Sequence, residues 1–156
     1  MATEIERKFL VTDDSWRADA DAGTAYRQGY IVGASHASVR VRLEGEAAYL
    51  NIKSATLGVR RLEFEYPVPL ADARVMLESL CAKPLIEKTR YLLDHGGHHW
   101  EIDVFSGDNA GLVVAEIELA DEAESFARPP WVGEEVSHDP RYYNVSLVDH
   151  PYKEWS

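Results

Sequence analysis

A single cysteine, Cys81, stands in a chain of 156 residues, which excludes an internal disulfide and points to a buried, inert thiol in a reducing, cytosolic setting. No apolar run approaches the ~20 residues of a membrane-spanning helix, and the opening stretch is charged and strand-like rather than a secretory leader. Basic charge is scarce: 16 Lys and Arg stand against 27 Asp and Glu, a net charge of -11. Nucleic acid and anionic membrane both favour basic faces, so neither is expected as a general partner, although a local basic pocket stays open. Low-complexity segments, heptads and solenoid repeats are also missing, and the length fits one domain over residues 1–156.

What the chain has is strands. Eight segments read as β: "TEIERKFLV", "YRQGYIV", "SVRVRLE", "AYLNIKS", "RRLEFEYPV", "IEKTRYLLD", "HWEIDVF" and "LVVAEIEL". Four links read as hairpins: Gly45-Glu46, residues 55–58, Gly96-Gly97 and residues 106–111. Helices are expected over 70–81, over 121–127 before Pro129 and Pro130, and within "RYYNVSLVDH". The expected class is α+β with a mainly antiparallel sheet.

Charges recur two apart along these strands, so each strand has one charged and one mainly apolar face. Tight turns at Gly45-Glu46 and Gly96-Gly97 would set Arg40 opposite Asn51, Ser38 opposite Lys53, and Arg90 opposite Asp103, bringing the charged faces into agreement. The shared face then collects seven cations, Lys8, Arg40, Arg42, Lys53, Arg61, Lys88 and Arg90. It also collects eight carboxylates, Glu4, Glu6, Glu63, Glu65, Glu101, Asp103, Glu116 and Glu118. A solvated face seldom keeps so many strand-disfavoured glutamates. Closure of the eight strands into a barrel would remove exposed edges, enclose the charges in a lumen and turn the apolar faces outward, under the helices.

"EIERK" at the start resembles the ExExK motif of the CYTH superfamily, the triphosphate tunnel metalloenzymes. The resemblance continues in order through "RQGY", "VRVRL", "NIKS", "RRLEFEY", "EKTRY", "EIDVF", "AEIEL" and "GEEVS", over nearly the whole chain. It implies an eight-stranded antiparallel tunnel with a charged interior, and it is strongest to short bacterial members that hydrolyse inorganic triphosphate. Thiamine triphosphatases and class IV adenylyl cyclases share the superfamily, so fold alone leaves the substrate open. A polyphosphate- or nucleotide-binding module without turnover is the non-enzymatic alternative, disfavoured by the acidic pairs.

The implied reaction is cleavage of a small-molecule triphosphate to diphosphate and phosphate, with the seven cations as substrate ligands. Arg60 competes with Arg61 for the inward position. Acids in a phosphate site repel substrate unless a hard cation bridges them, so Mg²⁺ or Mn²⁺ is expected. Glu4, Glu6, Glu116 and Glu118 are the foremost candidate ligands, followed by Glu63, Glu65 and Asp103. Tyr30, together with Lys8 and Lys88, is a candidate catalytic residue. Tyr30 matches a family tyrosine suggested to accept a proton, and simple hydrogen bonding to phosphate is the other role open to it. Sequence leaves the oligomeric state and the openness of the two tunnel ends undetermined.

Overall fold

The computed structural model describes residues 3–33, 36–55 and 58–155. Eight of its strands follow the expected segments: β1 (Thr3–Val11), β2 (Thr24–Gly33), β3 (Ala37–Glu44), β4 (Ala47–Ser54), β5 (Arg60–Pro67), β6 (Ile86–His95), β7 (His98–Ser106) and β8 (Val113–Glu118). Helix α1 (Leu70–Ser79) follows β5, and β9 (Val132–Glu135) and α2 (Asn144–Asp149) follow β8. Of the expected hairpin at 55–58, Thr56 and Leu57 lie outside the described residues.

Neighbouring strands pair antiparallel in the order β5-β4-β3-β2-β6-β7-β8-β1, and β5 returns to β1 through Thr3 with Leu62, Glu4 with Arg61 and Ile5 with Arg60. The sheet is therefore a closed eight-stranded barrel, with β9 added along β1 beyond β5. Turn chemistry sets the register. Gly96 and Gly97 adopt φ of +59° and +81°, the left-handed pair that a two-residue hairpin of matching twist requires, and Arg90 lands opposite Asp103. The Gly45-Glu46 turn likewise sets Arg40 opposite Asn51 and Ser38 opposite Lys53.

Two apolar clusters lie on the outside of the barrel. One joins Ile5, Phe9, Trp100, Ile102 and Ile117 to Trp16, Leu119 and Trp131 from the connecting segments. The other seats Ala73 and Leu77 of α1 on Val41 and Ala48. A third cluster fills one end of the barrel, where Leu147 and Val148 of α2 meet Tyr30, Ile86, Phe105 and Val114. Shape is thus a cup with a stopper.

Residues 121–127, expected to be helical, are turn and extended chain instead. Asp121 accepts from the Ala123 amide, and the Glu124 carboxylate accepts from the Ala120 amide, so local side-chain bonds replace the helical ladder. The extended path lets Phe126 reach the rings of Phe9 at 5.9 Å and Trp100 at 5.8 Å. No helix among the described residues is long and apolar enough to cross a membrane.

Candidate active site

Alternation on the strands turns Glu4, Glu6 and Lys8 inward while Ile5 and Phe9 pack outside. The same rule on the other strands encloses a cavity of about 550 Å³. Lys8, Arg40, Arg42, Lys53, Arg61, Lys88 and Arg90 all line it, as do Tyr30, Glu4, Glu6, Glu63, Glu65, Glu116 and Glu118. Arg60 points away, with Nε 2.8 Å from Glu122 Oε2, so Arg61 takes the inward position.

Asp103 differs from the other carboxylates. It shares their face but lies at 0% exposure, behind the cavity wall. Arg90 donates to both its oxygens at 2.8 Å, and Lys88 Nζ donates to Oδ2 at 2.8 Å. With its oxygens engaged in this way, Asp103 serves as the anchor of two cations, which leaves it poorly placed as the metal ligand expected from sequence. Burial raises its pKa, but Arg90 and Lys88 outweigh that effect and hold it below the usual carboxylate range.

The remaining acids are arranged in two groups. Glu63 and Glu65 both accept from Asn51 Nδ2, at 2.9 and 3.0 Å, and Arg42 bonds Glu65 at 3.1 Å. Glu4, Glu6 and Glu116 form the second. Lys53 Nζ stands 3.2 Å from Glu4 Oε1 in an ion pair, yet that buried oxygen has no partner in hydrogen-bonding geometry. Burial, with the Glu116 charge next, pushes Glu6 well above the usual range. Glu116 is also buried, but Lys8, the Glu6 hydrogen bond and Arg90 hold it well below. Glu6 is thus the readier of the two to take up a proton.

Burial brings the Lys88 ammonium down to about 8, against the pull of Asp103. Tyr30 faces Arg40 across the β2–β3 ladder. The segment after β9 also reaches the cavity, and its Asn144 is the contribution that sequence reasoning missed. The Tyr142 carbonyl accepts from Lys8 Nζ at 3.2 Å, and the Tyr143 ring lies 5.7 Å from Lys8 Nζ and 5.4 Å from the Arg61 guanidinium. Asn144 Oδ1 accepts from Lys88 Nζ at 3.1 Å and from Gln28 Nε2 at 3.0 Å. No periodic pattern marks this tail; Gln28 alone was legible, because it shares parity with Tyr30. Trp131 packs outside the cavity on Trp100, ring centroids 5.4 Å apart.

Comparison with known proteins places this geometry. The family model described as the CYTH domain matches residues 2–152. An inorganic triphosphatase of Acetivibrio thermocellus is 50% identical over 153 residues, covering 98% of this chain and 97% of the relative. One of Nitrosomonas europaea is 36% identical over 155 residues, covering 94% and 97%. A crystal structure described as an inorganic triphosphatase superposes with a TM-score of 0.67 at 34% identity, covering 95% of each chain.

Proposed function

The chain belongs to the CYTH family, and on that premise we propose that it hydrolyses inorganic triphosphate to diphosphate and phosphate inside the barrel. The observation that carries this reading is the convergence of seven cations on one cavity of about 550 Å³ that is also lined by Glu4, Glu6 and Glu116. Phosphoryl transfer needs positioning and charge stabilisation more than covalent help, and fixed cations in a walled site supply both.

Roles follow from surroundings. Arg40, Arg42, Arg61 and Arg90 offer planar forks to phosphate oxygens, and Lys8, Lys53 and Lys88 act as compact charges. Asp103 and the Glu63–Glu65 pair hold several of these cations in place before substrate arrives. Tyr30, opposite Arg40 in the cavity wall, is the residue we assign to receive the proton of the attacking water as the phosphorus–oxygen bond to diphosphate breaks.

A hard divalent cation fits the acidic group, because Glu4 Oε1 is buried without a hydrogen-bond partner and burial beside the Glu116 charge raises the Glu6 pKa, crowding that a cation would relieve. Glu4, Glu6 and Glu116 would hold it, with Glu118 at the same mouth. Such an ion, Mg²⁺ or Mn²⁺, would neutralise phosphate charge and acidify a bound water. Among the described residues no three acids or histidines form a complete cage, which suits an ion sharing its shell with phosphate and water.

The test is phosphate release from tripolyphosphate, diphosphate, ATP and thiamine triphosphate with Mg²⁺, Mn²⁺ or EDTA, comparing wild type with Glu4→Gln/Glu6→Gln. Metal-dependent cleavage selective for tripolyphosphate, and lost in the double variant, is expected. Equal cleavage in EDTA would overturn the metal assignment, and preference for thiamine triphosphate or ATP would overturn the substrate.

A further inference from the structure

Three consecutive residues of the tail, Tyr142, Tyr143 and Asn144, each meet a cation of the cavity, and Asn144 alone does so with a side-chain hydrogen bond. The direction of its amide is fixed by chemistry. Lys88 has only donors, so the Asn144 atom facing it at 3.1 Å must be the carbonyl oxygen. That oxygen must in turn face the amide nitrogen of Gln28, which leaves the fully buried Gln28 Oε1 without a hydrogen-bond partner. A flipped Gln28 would set two carbonyl oxygens against each other. The network therefore tolerates an orphan acceptor to keep the Asn144 carbonyl on Lys88, a local violation of the kind found at functional sites.

An ammonium has three protons. Asp103 Oδ2 takes one at 2.8 Å and Asn144 Oδ1 takes another at 3.1 Å. Lys88 lines the cavity, so the remaining proton is left for a phosphate oxygen. With Asp103 alone the ammonium could swivel about a single bond; the second acceptor, Asn144 Oδ1, fixes its rotation.

We propose that Asn144, the first residue of α2, is a positioning residue that aims the third Lys88 proton into the cavity, so that docking of α2 completes the phosphate site. Its catalytic consequence rests on the triphosphatase reading; its effect on Lys88 does not. The tail is then part of the site as well as the stopper of the barrel.

The experiment compares wild type, Asn144→Ala, Asn144→Asp and Val148→Ala. Two readouts are taken on each: steady-state hydrolysis of tripolyphosphate, and the ¹H–¹⁵N signal of the Lys88 side-chain ammonium. Asn144→Ala should lower kcat by about tenfold or more with KM changed by less than about threefold, and should shift or broaden the ammonium signal. Asn144→Asp, which keeps an acceptor in the same place, should restore most of both. Val148→Ala loosens α2 without touching Lys88, so it should lower the melting temperature while leaving the ammonium signal in place.

An Asn144→Ala variant with wild-type kcat and an unmoved ammonium signal would overturn the proposal. So would an Asn144→Asp variant as impaired as Asn144→Ala in both readouts. Wild-type protein that releases no phosphate would overturn the triphosphatase reading instead, and the ammonium signal would still decide the positioning role.

Discussion

Glu6, on β1, and Glu116, on the paired strand β8, stand beside each other in the cavity wall, and their pKa values are driven apart, Glu6 up by burial and the Glu116 charge and Glu116, despite its own burial, down by Lys8. A divalent cation binding there favours the ionised form of Glu6. Metal binding should therefore release about one proton per ion, and affinity should climb as pH rises through the elevated range of Glu6. Calorimetry in buffers of different ionisation enthalpy measures the release. Glu6→Gln should abolish it, and an affinity independent of pH would remove this pair from metal binding.

Lys88 is protonated at a cost to the fold. Its folded pKa, about 8, lies below the ordinary 10.5 because burial disfavours the charge. Between those values the unfolded chain holds the extra proton, so this group makes stability rise with pH across that window. Lys88→Met should remove the rise, while the loss of a partner for the buried Asp103 lowers stability at all pH values above the range in which Asp103 titrates. Urea melts at pH 7.5 and 10, as the difference between wild type and variant, give the answer.

At the join of β9 to β1, Arg7 donates to both oxygens of Glu135, at 2.9 and 2.5 Å, and the first effect of this is to hold the Glu135 pKa below its usual value. A depressed carboxylate contributes stability above its unfolded pKa and loses it as pH falls through the folded one. Glu135→Gln should cost about 1 kcal/mol at pH 7, and the gap to wild type should close under acid conditions. Acid-unfolding curves of the two proteins would show it; a gap constant down to full acid unfolding would contradict it.

Gly29 stands between Gln28 and Tyr30 with its open side against the β2–α1 seam. A methyl group there would lie 2.6 Å from Leu85 Cδ2 and 2.7 Å from Cys81 Cβ. Leu85 can turn away more readily than the Cβ of Cys81. Gly29→Ala should destabilise the fold by about 1–3 kcal/mol and lower kcat, since displacement of β2 moves Tyr30. Denaturant midpoints and tripolyphosphate turnover are the checks.

The period of two made the barrel legible: from it come the strand faces, and from the turns at Gly45 and Gly96 the register that brings Arg40, Lys53 and Arg90 to one side. Parity also favours Arg61 over Arg60, because Arg61 falls in step with Glu63 and Glu65. Parity says which way a side chain points and nothing of its depth, so Asp103 read the same as Glu101 although its oxygens are spent on Arg90 and Lys88. β9 has four residues interrupted by Gly133, too short for an alternation to register. Asn144 acts through one side-chain oxygen on Lys88 and Gln28, and a lone residue leaves no pattern along a chain.

Outside and inside are written on alternate residues of the same strands, and the largest apolar cluster among the described residues sits on the outer set. Cavity-lining residues of the charged set, away from the α2 end, meet one another and an open space rather than an apolar core, whereas Asp103 behind the wall is fixed by Arg90 and Lys88. A fold organised in this way separates the part that must stay constant to hold together from the part that can drift toward a new ligand, and the two are a single residue apart.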